Sequence, residues 1–279
     1  MEGTTETSPR CAVPPAASAK DHAVLAFIRD TLALAAVELR KLGRDPLELL
    51  TRAIQPALWL LIFGQVFGRI KAIPTGNQSY LTFMVPGILA QSVLFIAIFY
   101  GISVIWERDL GILQKLLATP APRSALVLGK ALSAGVRGLS QGFIIYLLAI
   151  TLQIPLRFQV GAIVEVAGFI ILGSALFSTF SLAVACLVRT RERFMGIGQV
   201  LTMPLFFTSN AIYPLSIMPA WLRALAKVNP LSYQVDALRV LMVQGGQSMF
   251  GLGKDFTVLL FILVLFVLIT ARLYPNVVR

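Results

Sequence analysis

Residues 80–105 read YLTFMVPGILAQSVLFIAIFYGISVI, a run without one charged side chain. About 20 apolar residues in a helix cross the hydrocarbon of a bilayer. This run is long enough, and Pro86 marks an expected bend within it. Shorter runs of the same kind recur on both sides. Reading outward, the spacing predicts spans over 46–68, 80–105, 131–153, 162–188, 196–213 and 256–274. Pro56, Pro86 and Pro204 are the expected bends. The uncharged part of the first span is short, so Arg52 is expected to snorkel to the interface.

Composition agrees with a chain dissolved in lipid. Hydrophobic residues make up 57% of the 279 and charged residues only 13%, with mean hydropathy +0.81. A soluble domain carries about 25% charged residues. The net charge is +11, but the basic residues punctuate apolar runs and do not cluster on one polar face. Nucleic-acid binding is therefore not expected. Sixteen Lys and Arg fall on the side of the termini and seven on the other, which places both termini in the cytoplasm, with a bacterial plasma membrane as the expected location.

The flanking segments have their own character. Residues 1–20 are polar, contain Pro9, Pro14 and Pro15, and lack the apolar core of a cleavable signal, so they read as a disordered tail. Residues 21–44 place Leu25, Ile28, Leu32, Ala35, Ala36 and Leu39 at helical spacing, with Arg29, Glu38, Arg40, Lys41 and Arg44 on the polar side. That pattern suits an interfacial helix. The region 214–255 keeps helical spacing through Trp221, Leu222, Leu225, Ala226, Val235, Leu238, Leu241 and Met242. Asn229-Pro230 interrupts it, which predicts two short helices dipping into the outer leaflet. The expected architecture is all-α, with residues 21–279 forming one membrane domain.

Chemistry-bearing groups are scarce. His22 stands alone, and Cys11 and Cys186 have no partner set around them, so neither a metal site nor a disulfide is expected. No serine, histidine and acid set or nucleophile turn supports catalysis. Glu165 is the one carboxylate read as lying within a span, near its outer end, where it suits either headgroups or a proton relay. Arg137 lies in the third span, with Glu48, Glu165 or a lipid phosphate as candidate partners. Phe63, Phe67, Phe95, Phe99, Phe206 and Phe207 give three spans an aromatic character, with Gln55, Gln65, Gln91 and Asn210 among them. Aromatics with a few polar groups suit an amphiphilic ligand. Ordinary packing uses the same phenylalanines.

The segment 107–130, ERDLGILQKLLATPAPRSALVLGK, lies between the second and third spans. Leu110, Leu113, Leu116 and Leu117 share one face of a short helix over about 107–118, and Thr119-Pro120-Ala121-Pro122 stops it. It resembles the cytoplasmic coupling helix of ABC-2 type (type-2 ABC exporter) permeases in Glu107, Arg108, Asp109, Gly111, Leu113, Leu116, Leu117, Thr119, Pro120 and Arg123. Ile112 and Gln114 replace a Thr and a Glu that are frequent there. A second stretch, SNAIYPLSIMPAWLRALAKVNPLSYQVDALR at 209–239, is similar to the same family's signature in Tyr213-Pro214, Met218-Pro219, Trp221-Leu222, Asn229-Pro230, Asp236 and Arg239.

The chain is thus identified as a permease most similar to drug- and lipid-exporting members of the daunorubicin-resistance type. The resemblance implies a two-fold assembly of permeases, identical or paralogous, each docked on a cytoplasmic ABC ATPase that holds the ATP and Mg. The chain has no G-x-x-x-x-G-K-[ST] phosphate loop of its own. Export of a lipid-linked glycan within the family, or proton-driven transport through Glu165, are the competing expectations.

Overall fold

The structure, a computed structural model, describes residues 51, 54–70, 73, 78–111, 123–188 and 190–273. The polar tail, the amphipathic segment 21–44 and residues 112–122 lie outside this set. In chain order the helices are α1 (Ile54–Ile70), α2 (Tyr80–Asp109), α3 (Arg123–Thr151), α4 (Val160–Leu187), α5 (Arg191–Phe207), α6 (Ala220–Val228), α7 (Pro230–Met242) and α8 (Leu252–Leu273). Among the described residues there is no strand, only an isolated bridge between Leu156 and Val243.

Ser79 starts the helix around which the others assemble. Its hydroxyl accepts from the Thr82 amide at 3.1 Å, which satisfies one of the orphan donors of a helix start. From Thr82 to Leu94 every residue of α2 except Ser92 is buried. Apolar side chains on all faces leave no solvent-facing stripe, so the helix sits centrally, against α1, α3, α4, α5 and α7. At Gly87 an added Cβ would lie 2.3 Å from the Ala211 carbonyl oxygen. The absent side chain lets the turn after α5 press onto α2. α3 packs on α4 in a similar way: a Cβ at Gly138 would lie 2.1 Å from the Ser174 hydroxyl. Small residues of this kind let helix backbones approach where lipid supplies no hydrophobic drive between spans.

α8 shows what surrounds the bundle. Asp255, Leu259, Val267 and Thr270 face inward, while Phe256, Phe261, Val264, Leu265 and Leu268 are exposed. A soluble protein does not leave such a continuous apolar face in water. Among the described residues, four helices are long and apolar enough to cross a membrane: α2, α3 from Val127, α4 and α8. α1 is a shorter apolar helix whose Trp59–Gly64 segment is π-helical, beginning just beyond Pro56.

Several boundaries differ from the sequence reading. α2 continues through the charged residues to Asp109, with a break only at Gly101. Glu107, Arg108 and Asp109 therefore end a span helix and do not open a separate one. α3 begins at Arg123, ahead of the expected start at Ala131. α5 begins at Arg191, where the Thr190 hydroxyl accepts from the Arg193 amide at 3.4 Å, and it stops at Phe207, short of Tyr213. Asn229 explains the stop. Its amide donates to the Leu205 carbonyl at 2.7 Å and to the Thr208 hydroxyl at 3.0 Å, so the last turn of α5 is tied off by a side chain from the next helix pair.

The interruption at Asn229-Pro230 lies where the pattern predicts it. Asn229 accepts from the Leu231 amide at 2.9 Å and Pro230 occupies the first turn of α7. The two short helices are nevertheless unequal. α7 is buried against α2, α4 and α8, whereas Ala226 alone is buried in α6.

Candidate functional site

At the basic end of the bundle, charged side chains join three helices around the loop between α2 and α3. The Lys130 ammonium of α3 donates to both Glu107 oxygens, at 2.6 and 2.5 Å. Asp109 accepts from Arg191 of α5 at 2.8 Å and from the adjacent Arg108 at 3.1 Å. The Arg191 guanidinium also stacks 3.7 Å over the Trp106 ring, a cation–π contact that fixes its plane. An ion pair at the surface contributes little alone, but together these pairs hold α3 and α5 against the end of α2. Gly111 turns the chain out of α2 with φ of +69°, a conformation that costs glycine nothing. Of the remaining coupling residues, Leu113, Leu116, Leu117, Thr119 and Pro120 lie outside the described residues. Arg123 begins α3.

The opposite end holds a buried polar cluster that reading the sequence did not identify as such. Asp236 of α7 is fully buried. Its carboxylate accepts from the Ser248 hydroxyl at 2.7 Å and from the amides of Met249 and Phe250 at 3.0 and 3.1 Å. One side chain thereby holds the turn that feeds α8. Asp255, one turn into α8, is equally buried, and neither of its oxygens meets a donor. Arg239 lies one turn along α7 from Asp236. It donates to the Asn210 carbonyl at 2.8 Å and lies 3.9 Å over the Phe83 ring. This corrects the expectation that Glu165 is the sole carboxylate within the bundle. Glu165 is exposed near the start of α4, and the withdrawn acids come from a segment read as an outer loop. The spacing of Asp236 and Arg239 was visible in sequence, but nothing in the pattern distinguished a buried pair from a solvated one.

The aromatic residues separate into two sets. Phe63 stacks on Trp59 at 4.4 Å and lies 6.1 Å from Phe67, while Phe206 meets Trp59 at 5.6 Å and Phe207 at 5.3 Å. α1 and α5 therefore share one aromatic wall, in which Phe63 and Phe207 are exposed and Phe206 is buried. Asn210 is buried beyond it, in the turn that Gly87 admits. Phe95 and Phe99 pair separately on α2, 6.2 Å apart. Of the amides, Gln91 is buried, and Gln55 and Gln65 are exposed on α1. Arg137 of α3 faces the Tyr100 ring at 5.2 Å. Gly138 beside it packs against Ser174, nine residues along α4 from Glu165, which is about 13 Å of helix. Glu48 lies outside the described residues. Among those described, no three of His, Cys, Asp and Glu gather as metal ligands.

The sequence profile of ABC-2 type transporters matches residues 29–243. The chain belongs to the ABC-2 type transporter family. The match runs from the amphipathic segment through α7, and so includes the charged lattice at the basic end together with Asp236 and Arg239, but not the Ser248–Phe250 turn or Asp255. This ABC-2 chain is 32% identical over 217 residues to the putative transport permease ycf38 of Cyanophora paradoxa, covering 77% of this chain and 74% of that one. It is 27% identical over 240 residues to the daunorubicin resistance ABC transporter permease protein DrrB1 of Streptomyces coeruleorubidus, covering 83% and 81%. The inner membrane transport permease YadH of Escherichia coli K12 is 25% identical over 195 residues, covering 67% and 73%. These relatives are named permeases, not enzymes, and this chain is an ABC-2 type transport permease with several membrane-spanning helices.

Proposed function

We propose that this permease is the membrane subunit of an ATP-driven exporter that moves a hydrophobic or amphiphilic compound, drug or lipid, outward from the cytoplasm or inner leaflet. The observation that carries this reading is the charged lattice at the basic end. Glu107–Lys130 and Asp109–Arg191 tie α2, α3 and α5 around the loop that resembles a coupling helix. A push on that loop is transmitted to three spans at once. ATP and Mg reside on a cytoplasmic ABC ATPase, and a second permease, identical or paralogous, completes the assembly. The aromatic wall of α1 and α5, with Asn210 behind it, is the proposed substrate path. The DrrB1 relative's name supports a drug as cargo. A lipid-linked glycan is less well served, because Trp59 is the one tryptophan in that wall.

The proposed topology has six spans, with α1 and α5 completing the four longer ones, and a bacterial plasma membrane holding both termini on the cytoplasmic side. In a variant without native cysteines, Gln247→Cys, at an exposed position ahead of α8, is expected to react with an impermeant thiol reagent added from outside. Labelling from the cytoplasmic side alone would reverse the orientation.

Energy source is tested in vesicles containing permease and ATPase. Export is expected to require ATP, to survive collapse of the proton gradient and to survive Glu165→Gln, since Glu165 is exposed at the end of α4. Transport by the permease alone, driven by a pH step, would replace the ATP-driven reading with the proton-driven one. In that event Asp255→Asn would be the next variant to measure, because Asp255 is the buried acid without donors.

A further inference from the structure

The short connection between α3 and α4 lies at the end of the bundle away from the charged lattice. Ile154 and Leu156 are buried and anchor it. Leu156 bridges to Val243, and the Arg157 amide donates to the Met242 carbonyl at 2.7 Å. Side chains alternate along an extended stretch, so Arg157 is left half-buried between the buried Leu156 and the exposed Phe158. Phe158 lies edge-on to Tyr146 of α3 at 5.7 Å. Leu156, Arg157, Phe158, Gln159 and Gln244 line an open cleft of about 770 Å³. Its far side is held by Gln78, which donates to the Gln244 carbonyl at 3.3 Å. Among the described residues, no acid or ring meets the Arg157 guanidinium. The depth of the cleft follows from α3. Thr151, which ends that helix, is 21 residues beyond Lys130 of the charged lattice, or about 30 Å of helix. That is about the thickness of the hydrocarbon core, so Arg157 stands at headgroup level in the leaflet opposite the lattice.

We propose that this cleft is a binding site for one anionic phospholipid of that leaflet, with its phosphate on Arg157 and an acyl chain running down beside Phe158. A guanidinium presents five donors in a fork that matches phosphate oxygens. The amides of Gln159 and Gln244 suit the remaining polar groups of a headgroup. Toward the bilayer centre the surface turns apolar. Phe143, Leu147 and Ile150 of α3 and Val160 and Val164 of α4 are all exposed, which is the surface an acyl chain covers. α4 carries no acid in its first turn, and Glu165 lies about 8 Å further along that helix, below the level of a phosphate. A lipid thus meets both halves of the site, whereas free phosphate meets only the polar one. The site is distinct from the α1–α5 aromatic wall and does not depend on what the permease exports or on its energy source.

The test uses the full-length permease alone, in mild detergent. Native mass spectrometry with added phosphatidylglycerol should show one retained lipid, with occupancy falling about tenfold in Arg157→Gln, as expected for loss of a charge-assisted contact. Arg157→Lys should fall in between, because an ammonium keeps the charge and loses the fork. Millimolar inorganic phosphate should not displace the lipid. A reporter that leaves Arg157 intact serves if the glutamine variant does not fold. With Trp59, Trp106 and Trp221 replaced by phenylalanine, a Phe158→Trp reporter should be quenched severalfold more by brominated phosphatidylglycerol than by brominated phosphatidylcholine. Equal occupancy in Arg157→Gln, displacement by inorganic phosphate, or equal quenching by the two lipids would each overturn the proposal.

Discussion

Asp236→Ala is expected to lower the melting temperature of the purified permease by roughly 10 °C. The Asp236 carboxylate accepts three hydrogen bonds at the start of the α8 turn, from the Ser248 hydroxyl and the Met249 and Phe250 amides. Removing this buried, hydrogen-bonded side chain leaves the turn without the acceptor that ties it to α7. That costs about 3–5 kcal/mol, and at 2–4 °C per kcal/mol for a chain of this size the shift follows. Arg239, buried one turn away, also loses a nearby negative charge. Asp236→Asn keeps the shape and one acceptor oxygen, so its shift should be about half as large. A thiol-reactive dye reports the transition through Cys186, which is buried in the folded protein, once Cys11 is replaced by serine. A melting temperature unchanged in Asp236→Ala would mean that the turn is held by something other than this carboxylate.

Leu116→Asp is expected to abolish recovery of the ATPase with the permease while leaving membrane insertion intact. Helical spacing predicts an apolar stripe of Leu113, Leu116 and Leu117 on the segment between Asp109, which ends α2, and Arg123, which begins α3. Such a stripe requires a cover. A carboxylate buried at that contact costs several kcal/mol unless a cation compensates it, enough to reduce a micromolar association by about a thousandfold. The measurement is co-purification of the two subunits from membranes with equal permease content. Undiminished recovery would place the stripe against the permease's own bundle and remove the physical basis of the proposed coupling.

These two variants probe features that differ in how they are written in the chain. The leucine stripe is an expectation of the sequence alone: helical spacing predicts it, and prolines at 120 and 122 predict its end. The Asp236 anchor is not legible in that way. Asp255 sits at the head of an apolar run, where an acid ordinarily faces headgroups, and Asp236 sits in a segment of mixed polarity. Only the packing of α7 between α2, α4 and α8 withdraws both from solvent. The aromatic residues illustrate the same limit. Phe95 and Phe206 look alike in sequence, yet one faces α3 and Arg137 while the other closes on Trp59.

The helix ends differ from the predicted span ends for a related physical reason. Hydropathy marks where charge begins, and charge does not stop a helix. α2 runs on through Glu107 to Asp109, and α5 begins at Arg191, because those side chains find partners on Lys130 and on each other. α5 ends early at Phe207 because Asn229, more than twenty residues away, donates to the Leu205 carbonyl and the Thr208 hydroxyl. By itself, the amino-acid sequence determined the all-helical membrane class, the order of the apolar helices, the break at Asn229-Pro230 and the family, since each rests on local composition, spacing or motif. The tertiary structure alone decided which polar groups are buried, which aromatics share a wall and where helices end. Those outcomes depend on contacts between residues far apart in the chain, and no local pattern encodes the distance between them.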